Sequence, residues 1–369
     1  MTMFSRKVSQ TGKTHSRDTV QPHPIRNAES STPAPRRTRT PIGAVLVLIA
    51  TLSLVLSACG GDSSGKDDGA LRVAGIFSGP TTDADYNALG LQALKSLEQD
   101  GATTAFSESV QVPDIERVLQ EYVADGYNVI WTHGSQFYGA TAKIAAKYPE
   151  VKFIGEFDGE PAGQPANVWV IDRNFHTVFY PLGTLAANLT KSGKIGYLGG
   201  LSLPFSYSEV HALQQSIDDS GKKAVLKPVW SGDFNDTVKA QQLTSQLLSS
   251  GNDVILTSLN LGVVGSFKAV NDKPAGSAWI TVKYTDKSKN GPEHFAATAL
   301  YDFVAPLQTI MAKIAAKETK GYYQITFGKG ASVEVGDSVP AQAKAAVDAT
   351  VKGIGDGSIK VKLDQSEIK

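Results

Sequence analysis

From Leu71 onward the chain alternates short runs of β-branched or aromatic residues with amphipathic segments of helical period, and that alternation leaves few folds open. The runs span residues 71–77, 128–132, 151–157, 168–171, 194–198, 224–230, 253–257, 279–284 and 294–300. Between them, Asp114 follows Pro113 and starts a segment with Ile115, Val118, Leu119 and Tyr122 on one face. Asp236, suited to capping free amides, opens another that repeats Val238, Leu243 and Leu247. Strand followed by helix, several times over, implies parallel sheets with right-handed crossovers. Two such series occur, so the expected fold class is α/β, with two Rossmann-like lobes joined by a hinge. Lobe 1 is expected from 71–172 plus about 289–320, and lobe 2 from 173–288 plus about 321–369. Ligands of open parallel sheets sit beyond the carboxyl ends of the strands, so the residues just after each run are the candidates.

The part before Leu71 has a different character. Of 36 basic and 36 acidic residues, eight and two precede Cys59, so the remainder carries 28 against 34, a net charge of −6. A basic leader on an acidic body speaks against nucleic-acid binding, which needs a concentrated cationic face. Residues 1–58 read as a disordered basic leader ending in a secretion signal, with Arg36, Arg37 and Arg39 ahead of an apolar stretch of about 18 residues. Its end, Leu56-Ser57-Ala58-Cys59-Gly60, resembles the bacterial lipobox, which implies cleavage before Cys59 and lipidation of its thiol. The competing assignment is an uncleaved membrane helix of marginal length. Residues 59–70, rich in Gly, Ser and Asp, read as a flexible tether. With one cysteine in the chain, no internal disulfide or multi-cysteine metal site is possible.

Several motifs of the body, in order, resemble the basic membrane protein family of importer-associated binding proteins, relatives of purine-nucleoside receptor lipoproteins. They are Asp83-Ala-Asp85-Tyr86-Asn87, Asp125 to Gly134, Ala145 to Phe153, Pro181 to Gly200, Trp230 to Asp236 and Ile354 to Val361. The resemblance implies a type I periplasmic-binding-protein fold. It also implies an extracytoplasmic receptor for a nucleoside or related purine-like solute, working as a monomer on the cell membrane with an ABC permease. No cofactor, metal or catalytic residue is implied.

Candidate ligand residues combine that resemblance with the strand-end rule. Tyr86 and Asn87 follow the first strand, where a ring can stack on a flat ligand and an amide can bond it, or where the tyrosine simply covers the strand edge. His133 and Phe137 follow the run 128–132, His133 as ligand contact or as satisfied structural histidine. Asp158 matches an acid that the family uses on ribose hydroxyls, against the alternative of a turn cap before Gly159. Phe205 is an aromatic wall or a helix staple. Leu256 stands where relatives often carry an aromatic. Lys283 replaces a family acid and Asp302 a family lysine, an exchange of roles across the cleft unless the alignment slips and Asp286 takes the acidic place.

Other function classes fit less well. No Gly-x-Ser-x-Gly elbow or phosphate-cradling loop occurs, and His133, His176, His211 and His294 lack metal-ligand spacing. A membrane-tethered sensor of the same fold, or a receptor for a sugar or other small polar solute, remains open at this level.

Overall fold

A computed structural model describes residues 71–368, and each run read as a strand is one there. The first part comprises β1 (Arg72–Phe77), α1 (Tyr86–Ser96), β2 (Thr103–Ser107), α2 (Ile115–Ala124), β3 (Val129–His133), α3 (Tyr138–Ala145), β4 (Lys152–Phe157) and β5 (Val168–Asp172). Then follow α4 (Phe175–Leu189), β6 (Lys194–Gly199), α5 (Pro204–Asp219), β7 (Val225–Trp230), α6 (Thr237–Ser249), β8 (Val254–Ser258), α7 (Val263–Asn271), β9 (Trp279–Tyr284) and β10 (Phe295–Tyr301). The chain continues through α8 (Val304–Ala315), β11 (Gly321–Gln324), β12 (Thr326–Phe327), β13 (Gly330–Val335) and α9 (Ala341–Gly355). Among the described residues no helix is long and apolar enough to cross a membrane. The leader, Cys59 and the tether lie outside the described residues.

The strands form two sheets, ordered β11-β5-β4-β3-β1-β2 and β12-β13-β10-β9-β8-β6-β7. Pairing is parallel except where β13 lies antiparallel on β10. Central strands such as β3, β5, β8 and β9 are buried at every position, because helices cover both faces. The half-exposed edge strand β2 has no continuous apolar run to mark it in the sequence. The same holds for β11 and β12 at the sheet edges, and β13, though interior, has a single buried residue.

The expected division of the chain needs two changes. Residues 295–301 were expected with lobe 1, but β10 is held between β9 and β13 in the second sheet. Residues 321–324 were expected with lobe 2, but β11 extends the first sheet alongside β5. Crossings made by one or two residues leave no sequence signature. Helix α8 packs on α1, and α9 on α4.

Where the chain passes between sheets it is tied down. Ile325 N donates to Asp172 O at 2.8 Å, and Asn174 Nδ2 to Ile325 O at 2.9 Å. Asp172, fully buried, accepts from Asn174 N, from Gln324 Nε2 and from the Tyr322 hydroxyl. Asn174 takes a left-handed backbone (φ 51°), a conformation asparagine tolerates. The expected helix cap is present: Asp236 accepts from Lys239 N at 2.8 Å. Val238, expected on the buried face of α6, is exposed, while Leu247 is buried.

One large apolar cluster runs through both lobes, from Val73 and Trp131 by way of Phe175 and Phe179 to Tyr197 and Leu256. Helix α4 forms its spine, with twelve of its fifteen residues buried. It starts immediately after the first crossing, so its amino end sits where the two sheets face one another.

Candidate interlobe binding site

The carboxyl ends of β1, β3, β4 and β5 face those of β6, β8, β9 and β10, and the side chains there are unusually polar for their burial. Arg173 follows β5 directly and is almost wholly inaccessible. Its guanidinium donates to Asp158 Oδ2 at 2.5 Å and to Ser135 Oγ at 2.8 Å, and lies 3.9 Å from Glu156 Oε2. It also stands over the rings of Phe175 (4.2 Å) and Phe205 (4.8 Å). From the second sheet, Lys283 Nζ donates to Glu209 Oε1 at 2.6 Å and to Ser258 Oγ at 3.2 Å, and stands 3.3 Å from the centre of the Phe175 ring. Glu209 accepts in addition from the Tyr197 hydroxyl at 2.6 Å.

Burial pushes Lys283 down to about 8, with Glu209 pulling the other way. Burial likewise pushes Asp158 up to about 6 against the pull of Arg173. A third ion pair crosses between lobes: Lys287, after β9, donates to Asp85 Oδ1 at 2.8 Å. Asp85 belongs to the loop before α1 and is pushed up to about 7, chiefly by burial.

These groups surround three adjoining cavities. The inner one, about 20 Å³, is lined by Ser78, Tyr86, Gln136, Arg173, Phe205, Phe234, Asn260 and Tyr284. A second, about 250 Å³ and open to solvent, shares Ser78, Gln136, Phe234 and Asn260 and adds Phe137 and Asn235. A third, about 150 Å³, shares Gln136 and Phe205 and adds Ser135, Asp158 and Gln365. Phe205 and Phe234 lie nearly parallel, 20° apart with centroids 6.1 Å apart. Three buried polar atoms around these cavities, Arg173 Nε, Asp158 Oδ1 and Asn235 Oδ1, have no hydrogen-bond partner among the described residues.

The residues singled out from sequence fall into distinct places. Tyr86 lines the inner cavity, but its hydroxyl is held by Glu156 and one face is stacked on His133 at 3.8 Å. His133 is spent inside the lobe, with Nδ1 on Glu156 Oε1 (2.5 Å) and Nε2 on Tyr86 O (2.8 Å). Asn87 is consumed by its own loop: it donates to Asp83 and accepts from Gly79 N. Phe137 is packed in the first lobe's outer core and also lines the open cavity. Asp158 and Phe205 both reach the cavities.

Leu256 does not reach them. It lies two residues before the end of β8, level with Tyr197 and Thr281, and packs in the core; Asn260, past the strand end, reaches the cavity instead. Lys283 finds Glu209 as its counter-ion, not Asp302. Asp302 is exposed, caps Val304 N at 2.8 Å and faces a separate outer groove that Asp286 also lines.

Arg173, Glu156, Glu209, Asp85, Lys287, Tyr284, Phe234 and Asn260 were not among the candidates. The strand-end rule applied uniformly would have reached Arg173 and Asn260. A lone charge inside an apolar run flags Glu156 as it does Lys283.

Two strand-end arrays closing on one buried, polar-edged cavity is the arrangement of a solute receptor, and comparison with known proteins decides which kind. The profile of the ABC transporter substrate-binding protein PnrA-like family matches residues 70–369. The chain belongs to that family. Among its relatives, basic membrane protein A2 of Borrelia garinii subsp. bavariensis is 23% identical over 70% of this chain and 76% of its own length. The ABC transporter nucleoside-binding protein BmpA of Lactococcus lactis subsp. cremoris is 24% identical over 86% of this chain and 96% of its own. Among solved structures, an ABC transporter solute-binding protein from Conexibacter woesei superposes with a TM-score of 0.63 at 24% identity, covering 81% of this chain and 100% of the other. These neighbours carry the same type I fold of two α/β sheets.

Two predictions follow from the buried charges of this family member. Replacing Glu209 by Gln strands Lys283 inside the protein and should cost about 3–5 kcal/mol, whereas the double variant Glu209→Gln, Lys283→Met should regain most of it. Denaturant melts of the single and double variants measure this; equal losses in both would mean that the pair is not the origin. Asp85 offers a pH readout. Its native pKa of about 7 lies above the ordinary 3.8, so its contribution to stability is complete below about pH 4 and is lost as the pH rises through about 7. Asp85→Asn, which cannot ionise, should match the wild type in Tm near pH 4 and exceed it by a widening margin towards about pH 7.5. A margin that does not change with pH would disconnect the Asp85 carboxylate from the fold.

Proposed function

We propose that this chain is the nucleoside receptor of an ABC importer, lipidated at Cys59 and held at the extracytoplasmic face of the cell membrane. In this reading the lobes close on one purine-like solute and present it to a permease. The observation that carries the ligand class is the pair of near-parallel rings, Phe205 and Phe234, on a cavity edged by the amides of Gln136 and Asn260, the Ser78 side chain and Arg173. Aromatic faces favour a flat heterocycle, and the amides offer both donors and acceptors to its edge. Asp158, with an unpartnered buried oxygen beside Arg173, suits a hydroxyl-bearing substituent, since one oxygen can accept while the guanidinium donates. The Lactococcus lactis relative, named a nucleoside-binding protein, supports the same ligand class.

That acid–guanidinium pair alone would also suit a free sugar, and a titration panel separates the two. Purine nucleosides should bind by isothermal titration calorimetry, and Phe205→Ala and Phe234→Ala should each weaken them about 5- to 100-fold. Binding of monosaccharides with no response to nucleosides would overturn the ligand assignment. Anchoring has its own readout: the wild type should incorporate labelled palmitate and Cys59→Ser should not, and equal labelling of both would exclude Cys59 as the lipidated residue.

A further inference from the structure

The segment that follows α9 has no regular structure, yet it is bound to both lobes. Gln215 on α5, in the second lobe, grips it with both ends of its amide: Nε2 donates to Lys360 O at 3.0 Å and Oε1 accepts from Lys362 N at 3.1 Å. One turn earlier on the same helix, His211 Nε2 meets Ser366 O at 3.0 Å. From there the segment reaches the first lobe. Gln365 Nε2 donates to Asp158 O at 3.0 Å, and Leu363 lies so close over Gly159 that a Cβ there would sit 2.6 Å from its Cδ2. Gly159 has φ +89°, so glycine serves this contact twice, by conformation and by room.

Gln365 thereby becomes part of the wall of the third cavity, opposite Phe205 and beside Ser135 and Asp158. Asp158 is touched from two sides: its backbone carbonyl by Gln365 and its carboxylate by Arg173. We infer that residues 360–368 form a strap across the cleft and that Gln365 is a specificity-determining residue for the part of the ligand lying beyond Phe205. The inference rests on the nucleoside reading above, in which that part is the sugar. Because the strap is gripped by one lobe and touches the other, its contact with Asp158 forms only as the lobes come together. A ligand reaching the third cavity therefore gains an extra polar wall, and a ligand confined to the inner cavity does not.

The test compares whichever of adenosine, guanosine and inosine binds the wild-type chain tightest with its free base. Calorimetry is run on the wild type, Gln365→Ala and Gln215→Ala. In Gln365→Ala the nucleoside should lose about three- to tenfold in affinity while the base is unchanged. Gln215→Ala, which loosens the strap without touching a cavity, should weaken the nucleoside in the same direction. Both side chains are half-buried and lie outside the apolar clusters, so circular dichroism melts should match the wild type. An unchanged nucleoside affinity, or equal losses for nucleoside and base, overturns the inference while the nucleoside reading stands. A wild type that binds none of the nucleosides removes that reading, and the inference with it.

Discussion

The structure depends on keeping two cations, Arg173 and Lys283, out of water at the junction of the lobes. Desolvation of each costs several kcal/mol and is repaid only by good geometry and complete hydrogen bonding. Asp158 and Glu156 serve Arg173; Glu209 and Ser258 serve Lys283. Phe175, the first residue of α4, separates the two and offers its ring to both. That residue can stand there because the chain crosses between sheets just before it. The electrostatics and the topology therefore meet at one residue, with Phe205 as a second ring beside both cations.

Around this junction the lobes are joined by contacts of different kinds. The apolar cluster is continuous through both, the Asp85–Lys287 pair closes one edge, and hydrogen bonds among Asp172, Asn174 and Ile325 secure the crossings. Receptors of this architecture function by rotating two rigid lobes about such crossings, so contacts made across the cleft set the balance between open and closed forms. The partly buried ion pair is well suited to that task, since separation of the lobes would return both of its charges to water.

Much of the fold was legible from residues. Strands of the type Val129–His133 and Trp279–Tyr284 are continuous β-branched and aromatic runs, and helices such as Ile115–Ala124 have a clear apolar face. Edge strands and two-residue crossings were not, because exposure dilutes the apolar signal and a crossing has no composition of its own. At the site, candidates lying just past a strand end reached the cavities more often than those placed by the family pattern alone. Phe205 and Asp158 arrived there; Leu256 and Asp302, placed by counting along a family pattern, did not. The buried carboxylate Glu209 was missed because its role is to neutralise a partner from a distant part of the chain, and pairing across 74 residues, with Lys283, leaves no local trace.

Neither lobe is a continuous stretch of chain. The first sheet is finished by β11, some 150 residues after the strand it covers, Gly321 lying against Trp169. Until β11 arrives, β5 presents an open parallel edge whose residues are apolar toward both faces. Such an edge invites pairing with a strand of another molecule. A chain halted between residues 173 and 320 would thus carry five of the six strands of the first sheet with an adhesive edge at β5, in place of a small independent domain.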